Sequence, residues 1–208
     1  MVYKLLAAAF VTTSLLACSP AMASMSATAT ADLNIRSGPG PQFAVVGVIT
    51  AQSPVEVDGC IEGKTWCQVN HNGTSGWSYA GYLATGPDVV IANTQDVPHV
   101  SYTGPAAAAG AAGGVILGAL VGGPIGAVVG GAIGAGVGAS APPPAVTAYV
   151  TENRYEPVYL DGEVVVGAGV PEAVELSTIP DYEYRYAVVN GQTVLVDSNT
   201  RQIVYVYR

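Results

Sequence analysis

The sequence predicts a mainly β protein with an N-terminal small barrel, an Ala/Gly-rich helical hairpin and a C-terminal antiparallel β-meander. Gly (26) and Pro (14) are abundant among the 208 residues, and only 11% are charged. Tyr (12) far outnumbers Phe (2), which favours strands and turns over helical bundles. Composition changes sharply along the chain, so three regions are expected.

The first 23 residues predict a secretory signal peptide. Lys4 precedes an apolar run at 5–16, and the small-residue stretch Ala21-Met22-Ala23 follows Pro20. The run is shorter than the about 20 apolar residues that a transmembrane helix needs. Cleavage after Ala23 would release an exported, periplasmic protein.

A second processing site competes with this one. Leu15-Leu16-Ala17-Cys18 resembles the lipobox of bacterial lipoproteins, whose cysteine is acylated. Cys18 is therefore either lipidated or discarded with the signal peptide.

The charge excludes a nucleic-acid-binding surface. The formal net charge is −8 and the pI is near 4.5. The seven basic residues are scattered, whereas phosphate binding needs clustered Lys and Arg.

The N-terminal domain, residues 26–86, contains short apolar segments divided by turn residues. The predicted strands are 32–36, 45–49, 55–58, 65–70 and 76–79. Ser37-Gly38-Pro39-Gly40-Pro41 can form neither a helix nor a central strand, so it is a loop. Strands this short bury little individually, and closure into a barrel is the expected solution.

Two motifs in this region resemble the bacterial SH3 (SH3b) domain over about 60 residues. They are Leu33-Asn34-Ile35-Arg36-Ser37-Gly38-Pro39-Gly40, and Gly76-Trp77-Ser78 followed by Tyr82-Leu83. The resemblance implies a small barrel that binds peptidoglycan or a peptide.

The candidate ligand contacts are expected to be exposed polar and aromatic side chains near the Gly-Pro loop and the closing strand. They are Asn34, Arg36, Trp66 and Tyr79. The competing interpretation is that each of these side chains packs inside or buttresses the barrel.

Cys60 and Cys67 flank the turn Glu62-Gly63-Lys64 and would face each other in a hairpin. In an oxidising periplasm this predicts a disulfide. A metal site or a reactive thiol is the alternative, but with only His71 nearby there are too few metal ligands.

The middle segment, residues 105–141, contains glycines at a strict spacing of four. They are Gly110, Gly114, Gly118, Gly122, Gly126, Gly130, Gly134 and Gly138. On a helix this spacing forms a smooth groove into which another helix packs closely, a glycine zipper.

Gly122-Gly123-Pro124 interrupts the zipper and favours two helices joined by a turn. A membrane-inserted hairpin, in either the inner or the outer membrane, is the first prediction, and the segment resembles the glycine-zipper segments of some envelope lipoproteins. A helix pair in a soluble oligomer and a flexible spacer are the alternatives. Linkers are expected at 87–104 and 142–147.

The C-terminal domain, residues 148–208, predicts two groups of strands. Asn190-Gly191 is a type I′ turn signal between 184–189 and 193–197, and a third strand follows at 202–207. A separate hairpin is expected from 157–160 and 163–166. Several motifs, such as Glu163-Val164-Val165-Val166-Gly167, resemble a short uncharacterised domain at the C-terminus of small exported bacterial proteins.

No set of residues predicts catalysis, a cofactor or a metal. The only histidines are His71 and His99, and neither has a nucleophile or a second ligand at a suitable spacing. The acidic pairs, Asp181 with Glu183 and Glu172 with Glu175, are expected to be solvated.

The expected function is therefore a non-enzymatic binding or adaptor protein of the cell envelope. Its partner would be peptidoglycan or an envelope protein, and residues 105–141 would hold it at a membrane. The alternative is a structural or stress-protective membrane protein that self-associates through the glycine zipper into a homo-oligomer.

Overall fold

The computed structural model describes residues 24–63, 65–87, 89–104, 116–120 and 140–208. The mainly β class is confirmed, with an N-terminal SH3-like β region, a C-terminal antiparallel sheet and one short α-helix. The fold divides into an eight-stranded N-terminal sheet, a two-stranded parallel sheet and a four-stranded C-terminal sheet.

The N-terminal sheet contains all five predicted strands and three further ones. Its strands are β1 (Met25–Ala29), β2 (Leu33–Arg36), β3 (Val45–Ile49), β4 (Pro54–Cys60), β5 (Trp66–His71), β6 (Thr74–Tyr79), β7 (Leu83–Gly86) and β8 (Val89–Val90). They are ordered β3-β2-β6-β5-β4-β1-β7-β8, which leaves β3 and β8 at the edges. Asn72 and Gly73, both at positive φ, form the tight turn between β5 and β6.

The remaining elements follow the Ala/Gly-rich segment or lie inside it. They are β9 (Ile116–Ala119), α1 (Pro144–Glu152), β10 (Tyr159–Asp161), β11 (Ser177–Thr178), β12 (Arg185–Val189), β13 (Gln192–Val196) and β14 (Ile203–Val206). The predicted meander is confirmed as the antiparallel order β11-β12-β13-β14. Asn190 and Gly191, at φ 52° and 78°, form its type I′ turn.

The predicted hairpin of 157–160 and 163–166 is wrong. Only Tyr159–Asp161 is a strand, and β10 pairs in parallel with β9. Residues 163–165 are buried instead, because Glu163 enters a polar network and Val164 and Val165 enter the core.

The predicted helix is also wrong at residues 116–119, which form β9. The pairing with β10 continues at Leu120, whose N–H donates to the carbonyl of Asp161 at 2.9 Å. A neighbouring strand thus satisfies backbone groups that a helix would satisfy internally.

Gly118 lies in β9, and the other zipper glycines and most of 105–141 lie outside the described residues, where the two-helix hairpin stays a prediction. None of the described helices is long and apolar enough to cross a membrane.

Helix α1 begins inside the segment expected to be the Pro-rich linker. Pro144 occupies its first turn, where a missing N–H costs no helical hydrogen bond. Residues of the expected linker 87–104 also pack on the barrel, since the Val100 N–H donates to the carbonyl of Cys60 at 3.0 Å and Ile91 is buried.

One hydrophobic core runs through both domains. Its fully buried members include Leu33, Ile35 and Leu83 from the barrel, and Leu160 and Val165 from the C-terminal domain. A second, smaller cluster fixes α1 on the other face of the C-terminal sheet, where Val146 and Val150 are packed with Tyr186 and Leu195. The barrel and the C-terminal domain therefore meet through a continuous apolar interior.

Candidate ligand-binding groove

A buried ion pair joins the two domains at strand β2. Arg36 Nε and Nη2 donate to the two carboxylate oxygens of Glu163 at 2.5 and 2.6 Å. The two side chains are 1% and 0% exposed, and they are 127 residues apart in sequence. Two parallel charge-assisted hydrogen bonds fix both the distance and the orientation of the pair.

The barrel's own loop holds the guanidinium in place. Arg36 Nη1 donates to the carbonyl oxygens of Pro41 and Phe43 at 2.8 and 2.7 Å. Longer contacts of 3.4 Å reach the carbonyl of Asn190 in the C-terminal turn. Arg36 is therefore saturated with acceptors and has no donor left for an external ligand.

Asn34, two residues before Arg36 on β2, belongs to the same hydrogen-bond network. Its Nδ2 donates to Glu163 Oε1 at 3.0 Å and to Gln192 Oε1 at 2.7 Å, and all three side chains are buried. Ser78 Oγ donates to the Asn34 carbonyl at 2.9 Å, which ties β6 to β2. We call the network of Asn34, Arg36, Glu163 and Gln192 the sealed junction.

The expectation of exposed ligand contacts is wrong for three of the four candidate residues. Asn34 and Arg36 lie in the sealed junction, and Trp66 is 3% exposed. Tyr79 is half-buried and packs edge-on against Trp66, with ring centroids 5.6 Å apart. The burial of Asn34, Arg36 and Trp66 agrees with the competing interpretation, and ligand contact by Tyr79 stays a prediction.

Beside the sealed junction lies an open groove of about 740 Å³, which both domains line. The barrel wall consists of Arg36, Ser37, Pro41, Gln42, Phe43, Ala44, Val45, Gly47 and Val48, and the opposite wall of Tyr159, Asn190, Gly191, Gln192, Tyr207 and Arg208. We call this feature the composite groove. Concave sites with apolar and aromatic walls and few polar groups are typical ligand sites.

The register of β2 and β3 determines which side chains form the floor of the groove. Val45 is opposite Arg36, and Val48 is opposite Asn34. Opposed residues of an antiparallel pair share a face. The two valines therefore lie on the face that β2 presents to the C-terminal domain, but the domain leaves each of them 37% exposed.

Arg208 stands at the end of the groove and is loosely paired. Its Nη1 lies 3.8 Å from the Asp32 carboxylate, and its Nη2 donates to the Asp32 carbonyl at 2.7 Å. A weaker contact of 3.4 Å joins Nε to Asn34 Oδ1. Burial lowers the pKa of Arg208, and the carboxylates of Asp32 and Glu163 oppose that shift.

The predicted disulfide is confirmed. Cys60 and Cys67 are bonded and occupy opposite positions of β4 and β5. His71 is the last residue of β5, and its Nδ1 is 3.0 Å from the Pro54 carbonyl. Within the described ranges, no group of three or more His, Cys, Asp or Glu side chains is placed to hold a metal ion.

Sequence reasoning missed Glu163 and Arg208. The predicted hairpin places Glu163 in a strand, although a carboxylate directly before three valines is a signal that a buried charge needs a partner. Arg208 lies in no motif, and its place at the groove depends on contacts with residues more than 170 positions away.

Comparison with known families agrees with both resemblances. Residues 31–84 match the family model of the bacterial SH3 domain, and residues 149–208 match a domain of unknown function, DUF1236. A search of curated proteins gives no match. The SH3 match indicates a binding or adaptor role, and neither family is an enzymatic one.

Proposed function

We propose that this protein is a non-enzymatic binding protein of the bacterial cell envelope and that its composite groove binds peptidoglycan. It acts in the periplasm after removal of the predicted signal peptide. A peptide segment of an envelope protein is the alternative ligand. One observation supports the proposal. An open groove with apolar walls lies beside the barrel, whose motif residues Asn34 and Arg36 are buried in the sealed junction.

The chemistry of the groove supports a binding role. Phe43, Tyr159 and Tyr207 provide aromatic surface, and Gln42 provides an amide group that can donate and accept hydrogen bonds. Aromatic walls with a few polar groups suit a ligand that has both apolar and hydrogen-bonding parts.

The test is co-sedimentation of the mature chain, residues 24–208, with purified sacculi. Val48→Asp places a carboxylate on the groove floor and should reduce the bound fraction at least about tenfold, because the charge must be desolvated when the ligand binds. Val89→Asp is the matched control, since Val89 is 47% exposed on β8 and outside the groove lining. Wild-type protein that stays in the supernatant at every protein concentration would contradict the proposal.

Membrane attachment and self-association through residues 105–141 remain separate predictions. The deletion that tests them should remove 121–139, because β9 and Leu120 belong to the folded body. Recovery in the membrane fraction that disappears with this deletion would support attachment. Unchanged fractionation and an unchanged molar mass would contradict both predictions.

A further inference from the structure

The chain that leaves the barrel turns back and packs on it. Residues 97–104, which we call the strap, pass beside the end of β4, where the Cys60 N–H donates to the Pro98 carbonyl at 2.8 Å. The Val100 N–H donates in turn to the Cys60 carbonyl at 3.0 Å. The register of β1 on β4 ends at Val57, so the strap occupies a part of the β4 edge that β1 leaves open.

The side chains of the strap alternate in burial. Pro98, Val100 and Tyr102 are partly buried, whereas His99 and Ser101 are exposed. This alternation is the pattern of a strand that has one face on a core. The strap therefore packs on the barrel as a strand does and is not a loose linker.

Gly59, next to Cys60 on β4, gives the strap the room that it needs. A Cβ at this position would lie 2.6 Å from the Pro98 carbonyl oxygen and 2.8 Å from Val100 Cγ1. Glycine alone lets the two backbones approach this closely.

Tyr102, near the far end of the strap, packs between two aromatic rings of the barrel. Its ring centroid lies 5.6 Å from that of Phe43 and 5.7 Å from that of Trp77, and both contacts are edge-on. Such pairs contribute stability beyond the area that they bury. Trp77 is buried in the barrel, so Tyr102 connects the barrel interior to the half-buried ring of Phe43.

Phe43 is also a wall residue of the composite groove. Its carbonyl accepts a hydrogen bond from Arg36 Nη1 at 2.7 Å, which fixes its backbone but leaves its ring to be held by packing. The ring lies so close to Gly38 that a side chain there would collide with it, and Tyr102 packs edge-on against it. The position of this part of the groove wall therefore depends on the strap.

We infer that the strap positions Phe43 and that Tyr102 thereby adjusts the affinity of the composite groove without lining it. Tyr102 is a positioning residue in this sense. The effect on affinity rests on the proposed function, whereas the position of Phe43 can be measured without any ligand. The strap lies outside both family matches, which cover 31–84 and 149–208.

The first experiment follows Phe43 by fluorine NMR. The sequence contains two phenylalanines, and Phe10 lies in the predicted signal peptide, so fluorophenylalanine labels Phe43 alone in the mature chain. Tyr102→Ala removes the contacting ring and should shift the signal. Gly59→Ala keeps that ring but loosens the other end of the strap, so it should shift the signal towards the Tyr102→Ala position. Gly86→Ala is the matched control and should leave the signal in place, because a Cβ there has no neighbouring atom within 4 Å.

The second experiment measures co-sedimentation of the folded mature chain with sacculi. Tyr102→Ala should weaken binding about fivefold, because Phe43 loses an aromatic contact that holds its ring. Tyr102→Phe keeps the ring and should retain most of the affinity. Tyr155→Ala is the matched control and should bind as wild type does, since Tyr155 is 57% exposed and outside the groove lining.

The outcomes separate the two claims. An unchanged Phe43 signal in folded Gly59→Ala overturns the inference, and so does wild-type affinity of Tyr102→Ala for sacculi. Absence of wild-type binding to sacculi defeats the proposed function, and the fluorine signal then decides whether the strap positions Phe43. If Gly59→Ala does not fold, Val100→Pro takes its place, because proline lacks the N–H that Val100 donates to Cys60. An unchanged signal in that variant overturns the inference in the same way.

Discussion

The sealed junction and the composite groove adjoin on one face of β2 and share Arg36, but Arg36 and Arg208 are paired very differently. Arg36 has a bidentate carboxylate, is 1% exposed and connects the domains. Arg208 has an exposed carboxylate partner at 3.8 Å and lines the groove, with its side chain 22% exposed. Two polar residues of the barrel motif thus attach the C-terminal domain, and the proposed ligand site is the groove beside them.

The comparison predicts the largest loss of stability at the sealed junction. Glu163→Ala leaves the charge of Arg36 buried without its partner, which should lower the free energy of unfolding by about 3–5 kcal/mol. Urea denaturation measures this change. Glu175→Ala, an exposed carboxylate in the same domain, is the control and should change stability by less than about 0.5 kcal/mol.

Chemical rescue of Glu163→Ala tests whether the loss of stability comes from the missing carboxylate. Acetate should restore part of the stability of Glu163→Ala, because it supplies the carboxylate that Arg36 and Asn34 have lost. Acetamide has a similar size and no charge, so it should not. A Glu163→Ala protein as stable as wild type, or one that responds equally to both compounds, would show that the junction is not the main electrostatic contact between the domains.

The disulfide, which lies outside the lining of the groove, should make an intermediate contribution to stability. Cys60 and Cys67 are seven residues apart, and replacing both by Ser should cost about 2–3 kcal/mol through the larger entropy of the unfolded chain. The double variant should still bind sacculi when folded, because neither cysteine lines the groove. Lost binding by a folded double variant would mean that the barrel cannot keep the groove in shape without the bridge.

A smaller decrease in the free energy of unfolding is expected at alkaline pH. Burial raises the pKa of Tyr82 above its ordinary value of 10.0, and burial with hydrogen bonding to Tyr155 raises the pKa of Tyr186 to about 12. Their stabilising contribution is complete below pH 10 and declines above it, because the unfolded state loses protons first. Tyr82→Phe should flatten this decline in a series of unfolding curves between pH 9 and about 12. An identical pH dependence in the variant and wild type would contradict it.

The smallest stability effect is expected at the groove. Arg208→Gln removes a loose, partly exposed ion pair, so unfolding should change by at most about 1 kcal/mol. A loss of stability as large as that of Glu163→Ala would place Arg208 with the sealed junction and end the distinction.

The parts that the sequence predicts well depend on neighbouring residues. The five barrel strands and the Asn190-Gly191 hairpin follow from alternation and turn chemistry over a few positions. The disulfide is similar, since Cys60 and Cys67 face each other across one hairpin.

The features that the sequence does not predict depend on contacts between residues far apart in the chain. β9 pairs with β10 across about 40 positions, and the residue pairs of the sealed junction are separated by 127 to 158 positions. Residue types alone do not reveal such partners. The sequence therefore predicts Asn34 and Arg36 as exposed ligand contacts, whereas both are buried because their acceptor Glu163 comes from the other domain.

The shared core and the buried ion pair make the barrel and the C-terminal domain one folded unit, and unfolding followed with two local probes tests this. Both tryptophans, Trp66 and Trp77, are in the barrel, so their fluorescence reports on the barrel alone. Fluorotyrosine NMR signals from the tyrosines of residues 149–208 report on the C-terminal domain. A shared core and a buried ion pair predict coincident urea transitions in wild type, both displaced equally by Glu163→Ala. Two separate transitions in wild type would show that the domains unfold independently and would contradict the account.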